Sequence, residues 1–142
     1  VRPGGWRRHG SRPAAGREDP ALAYADAMTV VYYLLLFLHF VGWAIVLGGT
    51  VTNIRTPRLA NGVLHGALTA LVSGILMTGI AEMADGLPEL NHMKIGIKLV
   101  VAAVITALVI VAGRRKDGPS SGLVGAIAAL TTLNIAIAAL WR

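Results

Sequence analysis

Four uninterrupted apolar stretches, at about residues 28–51, 60–83, 92–113 and 121–141, constrain this chain more than any other feature. Each is roughly 20 residues, which at a rise of about 1.5 Å per residue covers a hydrocarbon core of about 30 Å. A helix satisfies its own backbone donors and acceptors, so such stretches read as transmembrane helices. All six prolines fall outside them, and Pro57, Pro88 and Pro119 mark the three connections. Connections of about seven to nine residues force consecutive helices to be antiparallel neighbours. The expected fold is therefore all-α: a four-transmembrane-helix antiparallel bundle over 28–142, preceded by a disordered, basic, polar arm over 1–27.

The net charge of +6 invites a nucleic-acid reading, but the basic residues cluster at the ends of apolar runs. That placement is membrane anchoring, so the expected surroundings are a lipid bilayer with no nucleic-acid partner. The absence of cysteine removes disulfides, thiolate metal sites and thiol nucleophiles together. A metal or haem would have to rely on histidine, and no metal site is expected.

The arm carries Arg2, Arg7, Arg8, Arg12 and Arg17 among Gly, Pro and Ala, and has no apolar run able to act as a signal peptide. Arg7-Arg8 lies about twenty residues from the first apolar stretch, too far for a twin-arginine signal. Met28, at the start of that stretch, is a candidate translation start.

Arg55 and Arg58 occupy the first connection and Arg114, Arg115 and Lys116 the third, whereas the second holds Glu82, Asp85 and Glu89. Counted from Met28, lysine and arginine place loops 51–59 and 114–120 in the cytoplasm of a plasma-membrane protein. A translated basic arm argues for the reverse, so start site and orientation are linked.

Small residues at four-residue spacing mark helix contacts in lipid. The second helix carries Gly62, Gly66, Ala70, Gly74 and Thr78 in such a row, the first carries Gly42 and Gly49, and the fourth carries Gly122, Gly125, Ala129 and Ala136. They predict tight packing, either within the bundle or against another subunit or larger membrane complex. Trp43 reads as mid-helix bulk, Tyr32 and Tyr33 as interfacial, and Trp141 with Arg142 as an anchor at the chain's end.

His39 lies close to the bilayer centre, where ionisable groups are costly and face the bundle interior. On a 3.5-residue repeat it shares a stripe with Tyr32, Gly42, Val46, Gly49 and Asn53. A polar cluster of His39, Thr69, Ser73, Thr131 and Asn134 is expected, with Thr106 nearby. Within it, His39 either stays neutral and fixes helix register or serves as a proton relay, quinone contact or haem ligand. Depth argues against paired histidine ligands, because His39 lies about 18 Å and His65 about 7 Å from the first-connection face at about 1.5 Å per residue. His92 sits at the other face. No cofactor is predicted outright; haem, copper or quinone would each depend on His39.

Lys94 and Lys98 stand one turn apart near the start of the third helix, where the helix dipole and mutual repulsion disfavour them. They either snorkel toward the interface or form, with His92, a basic mouth for an anionic headgroup or quinone-like ligand. Asn91 is the expected N-cap.

The chain has no phosphate-cradling glycine loop, no histidine-glutamate zinc helix and no serine-histidine-acid set, which argues against soluble-type catalysis. It matches the small multidrug-resistance exporters in size, but those depend on a carboxylate in the first helix. Between Val30 and Ala81 there is no acidic residue.

The segments Leu38-His39-Phe40-Val41-Gly42-Trp43 with Gly48-Gly49, Leu64-His65-Gly66-Ala67-Leu68 with Ser73-Gly74, and Leu90-Asn91-His92-Met93-Lys94-Ile95-Gly96-Ile97-Lys98-Leu99 resemble small four-helix integral membrane proteins of actinobacteria, the high-GC Gram-positive bacteria, over about 28–142. That resemblance implies a fold and no activity. More distantly, the first-helix histidine followed by Trp and a Gly pair, with lysine opening a later helix, is similar to copper-resistance D-type domains and membrane-bound protoporphyrinogen oxidases. Those families would imply copper handling or haem-linked redox chemistry. The residues themselves favour a non-enzymatic membrane component packed through small-residue faces; the alternative is a redox, haem, copper or quinone-binding protein using His39 with the Lys94, Lys98 and His92 mouth.

Overall fold

The computed structural model describes residues 19–83 and 91–140, and places four helices in them: α1 (Pro20–Val51), α2 (Val63–Met83), α3 (His92–Arg114) and α4 (Ser121–Leu140). All four are long and apolar enough to cross a membrane. Neighbours pack as α1–α2, α2–α3, α3–α4 and α4–α1, with no diagonal contact among the described residues. The helices therefore form a closed ring of four around a common interior.

Two helix starts differ from expectation. α1 begins eight residues before Met28, because Asp19 caps it by accepting from the Ala21 amide at 3.0 Å and Pro20 occupies the first turn, where its missing N–H costs nothing. Residues 20–27 thus belong to the helix; the rest of the expected arm, residues 1–18, lies outside the described residues, as do Asp85, Pro88, Glu89, Trp141 and Arg142. At 32 residues α1 is about 48 Å long and outreaches the hydrocarbon core.

α2 begins at Val63, not Ala60, because residues 52–57 and 61–62 form turns with irregular chain between them. Gly62 adopts φ +96°, a left-handed conformation open to glycine, so it ends the connection and takes no part in helix packing. The remaining caps follow the sequence: Asn91 Oδ1 accepts from the Lys94 amide at 3.0 Å, and Arg114 lies in the last turn of α3, where the dipole favours a cation.

The interior is built of small and β-branched residues, while Phe37, Phe40, Val72 and Val100 are each more than half exposed. That inversion of the soluble pattern suits a surface solvated by acyl chains. α1 and α2 make the closest approach. A Cβ built on Gly42 would stand 2.6 Å from the Gly66 carbonyl oxygen, one on Gly66 would stand 2.9 Å from the Gly42 carbonyl oxygen, and one on Gly49 would collide with Val63. The row Gly66, Ala70 and Gly74 on α2 is therefore consumed inside the bundle. The α4 row is not: Gly122 and Gly125 meet nothing within 4 Å and Ala129 is exposed.

The two basic connections lie at one end, where Gly118 approaches the Pro57 carbonyl at 3.9 Å from its would-be Cβ. Arg58 Nε donates to Asn53 Oδ1 at 3.0 Å, and Asn53 Nδ2 donates to the Gly49 carbonyl at 2.9 Å, tying the first connection back to α1. The fully buried Val46, Val63, Ile105, Val109, Val124 and Ile127 all lie within about 14 Å of this basic end, counting about 1.5 Å per residue. One half of the bundle is thus densely packed. The half toward the α2–α3 connection is not.

Candidate functional site

The packed half ends at His39. Trp43 Nε1, which can only donate, gives its proton to His39 Nε2 at 3.0 Å; the Ala70 carbonyl, which can only accept, receives the Nδ1 proton at 2.7 Å. These two partners fix a neutral imidazole protonated at Nδ1. The ring bridges α1 to α2, and Gly74 makes room for it: a Cβ there would sit 3.0 Å from the ring's Cε1. Ser73 Oγ, 3.4 Å from the same Nδ1, donates to the Thr69 carbonyl at 2.6 Å.

Above this lock the helices diverge around a cavity of about 130 Å³. Tyr32 and His39 from α1, Gly74 and Met77 from α2, Lys98 from α3 and Asn134 from α4 contribute to its wall. Tyr32, His39, Met77, Lys98 and Asn134 also line a groove of about 480 Å³, which continues between α1 and α4 past Leu36, Trp43 and Ala138. The larger space falls in the range usual for small-molecule sites, about 300–1,000 Å³.

Asn134 is the anomaly of the interior. It is 4 % exposed, and its side-chain carbonyl oxygen is fully buried with no hydrogen-bond partner among the described residues. Such an unsatisfied group costs about 1–3 kcal/mol. Burial alone does not force this, since every other buried side-chain oxygen nearby is satisfied: Thr50, Thr106 and Thr131 donate to carbonyls three or four residues back on their own helices. Asn134 Oδ1 has no proton to give a carbonyl of its own helix, so that local bond cannot satisfy it; the residue lines the cavity that Lys98 also lines.

Counted from the basic end at about 1.5 Å per residue, His39 and Asn134 stand near 18–20 Å, Lys98 near 24 Å and Tyr32 near 28 Å. The polar groups therefore step upward through the open half toward the far interface. Among the described residues half-buried Lys98 makes no ion pair, and Glu82 stands 3.8 Å from His92, both largely exposed.

The expected polar cluster is brought together in part. His39 and Ser73 touch, and Asn134 shares the cavity with His39. Thr69 is exposed and offers only its backbone carbonyl, and Thr131 is turned to Ile127, because each hydroxyl finds an acceptor in its own helix. The basic mouth also separates: Lys98 reaches the cavity, while exposed His92 pairs with Glu82 and neither His92 nor Lys94 lines it. His65 is exposed.

Trp43 was legible only as bulk. Its position four residues after His39 is the signal that marks it as the histidine's donor, since residues so spaced face each other on a helix.

No family model, curated protein or solved structure matches this chain.

Proposed function

We propose that this integral membrane protein is a non-enzymatic binding protein that holds a small lipophilic ligand with a polar head in the cleft beneath Lys98. The observation that carries this is the orphaned oxygen of Asn134, a residue that lines one cavity together with Lys98 and Tyr32. Ionisable groups at membrane depth ordinarily pair with one another or mark a ligand path. Here a lysine, a phenol and an amide whose oxygen is unpartnered share a cavity with no acid in its lining among the described residues.

His39 enters this reading as the floor of the site and as the fastener of α1 to α2. Both of its nitrogens are engaged, so haem or copper ligation through His39 requires Trp43 or Ala70 to let go. A quinone, approaching Lys98 and Tyr32 with its carbonyls, requires neither.

The arginines of the basic end support a plasma-membrane orientation with loops 51–59 and 114–120 cytoplasmic and the open half of the bundle outward. Native mass spectrometry of protein released from membranes in mild detergent tests the binding reading. A co-purifying lipophile is expected on the wild type and lost from Asn134→Leu; a ligand-free wild type that also fails to take up any of a panel of quinones and lipids rejects it.

A second reading, a scaffold that associates with copies of itself or with a larger complex, is favoured by the outward row of Gly122 and Gly125 on α4. Replacing both by leucine is expected to convert a dimer on blue-native gels to a monomer if that face is used.

A further inference from the structure

We propose that the ligand is a single-chain anionic glycerolipid, a lysophospholipid, with its phosphate on Lys98, a glycerol hydroxyl on Asn134 and its acyl chain in the groove between α1 and α4. This rests on the binding reading above and adds the chemistry of the occupant.

Three demands of the cleft converge on this class. Lys98 stands half-buried about 9 Å below the start of α3, by the rise per residue, with no carboxylate beside it among the described residues and Lys94 one turn above adding charge of the same sign. A cation so placed calls for an anion. The buried oxygen of Asn134 calls instead for an O–H or N–H donor, which a phosphate diester or a fatty carboxylate cannot supply and a free glycerol hydroxyl can.

The third demand is apolar. Leu36, Phe40, Ala44 and Leu47 of α1 line the groove with Ile135 and Ala138 of α4, and the α1 residues carry it from the level of the polar groups toward the basic end. Phe40 and Ile135 are exposed at its sides, so the groove is open to the acyl region and a chain can enter laterally. Bounded by two helices, the groove accommodates one acyl chain.

Saturation binding of lysophosphatidylglycerol to the detergent-purified full chain, read by native mass spectrometry, tests this. One molecule per monomer is expected, weakened about thirtyfold or more by Lys98→Gln. Lys98→Arg is expected to retain it, and Ala44→Phe, which fills the tail path well below Lys98 and Asn134, to abolish it. Melting curves on each variant identify any that fails to fold, and Ala44→Phe decides where Lys98→Gln does.

Equal binding of palmitate overturns the headgroup assignment. Equal binding of dipalmitoyl phosphatidylglycerol overturns the single chain, and saturation by inorganic phosphate shows a free anion in place of a lipid. A menaquinone that fills the cleft while lysophosphatidylglycerol does not compete refutes this inference and leaves the binding reading standing. Failure of every probe removes both.

Discussion

Gly42 and Gly66 lie backbone to backbone: a side chain on either would press into the other's carbonyl oxygen, at 2.6 Å and 2.9 Å. Gly42→Ala and Gly66→Ala should each destabilise the bundle by about 1–3 kcal/mol, the usual cost of overpacking against atoms that cannot yield. Gly48→Ala is the control, since nothing lies within 4 Å of that position. Thermal melts in one detergent should rank Gly48→Ala at or slightly above wild type. A Gly42→Ala melt indistinguishable from it would show that α1 and α2 do not meet there.

Trp43→Phe keeps most of the buried bulk and removes only the N–H that His39 Nε2 accepts. The variant should expose a free imidazole lone pair, so that added haemin or Cu(II) gives a histidine-ligated absorption band absent from wild type and from Trp43→Phe with His39→Ala. In wild type, nitrogen-15 NMR should find His39 neutral and protonated at Nδ1. A wild-type imidazole protonated at Nε2 contradicts the arrangement with Trp43 and Ala70.

Asn134→Leu should raise the stability of ligand-free protein by about 1–3 kcal/mol, because it replaces an unsatisfied buried oxygen with an apolar group of similar size. The same change should abolish ligand uptake. A residue that costs stability and gains binding separates the two measurements. A variant less stable than ligand-free wild type would mean that the oxygen has a partner.

The chain contains no cysteine, so single cysteines report topology without background labelling. Cysteines replacing Thr52 and Lys116 should resist a membrane-impermeant maleimide in intact cells and react after lysis, whereas one replacing Asn91 should react in both. The reverse pattern inverts the proposed orientation.

Much of this arrangement was legible from residue spacing. Four spans, the Asn91 cap and the close approach through Gly42, Gly66 and Gly74 follow from hydropathy, local capping chemistry and four-residue periodicity. The early start of α1 escapes because Pro20 reads as a breaker unless Asp19 is recognised as its cap, and the later start of α2 escapes because Gly62 continues the small-residue row in spacing while leaving the helix in conformation. Depth is set by residue number, and depth alone groups Thr69 and Thr131 with His39. Direction is not: a threonine that bonds its own helix satisfies itself without a neighbour. Lys98 was separated from Lys94 and His92 only by the helix ring, which turns one of the three toward the interior.

The uneven ring also bears on how the protein is made. Helices α1 and α2 carry their tightest contact, and the His39 lock with its three ring-nitrogen neighbours, entirely within residues 39–74. A hairpin of that kind can close in the bilayer while the second half of the chain is still leaving the ribosome, since helices associate after each has inserted. The floor of the cleft is then in place first, and α4, following the other three, completes the chamber by bringing Asn134 over it.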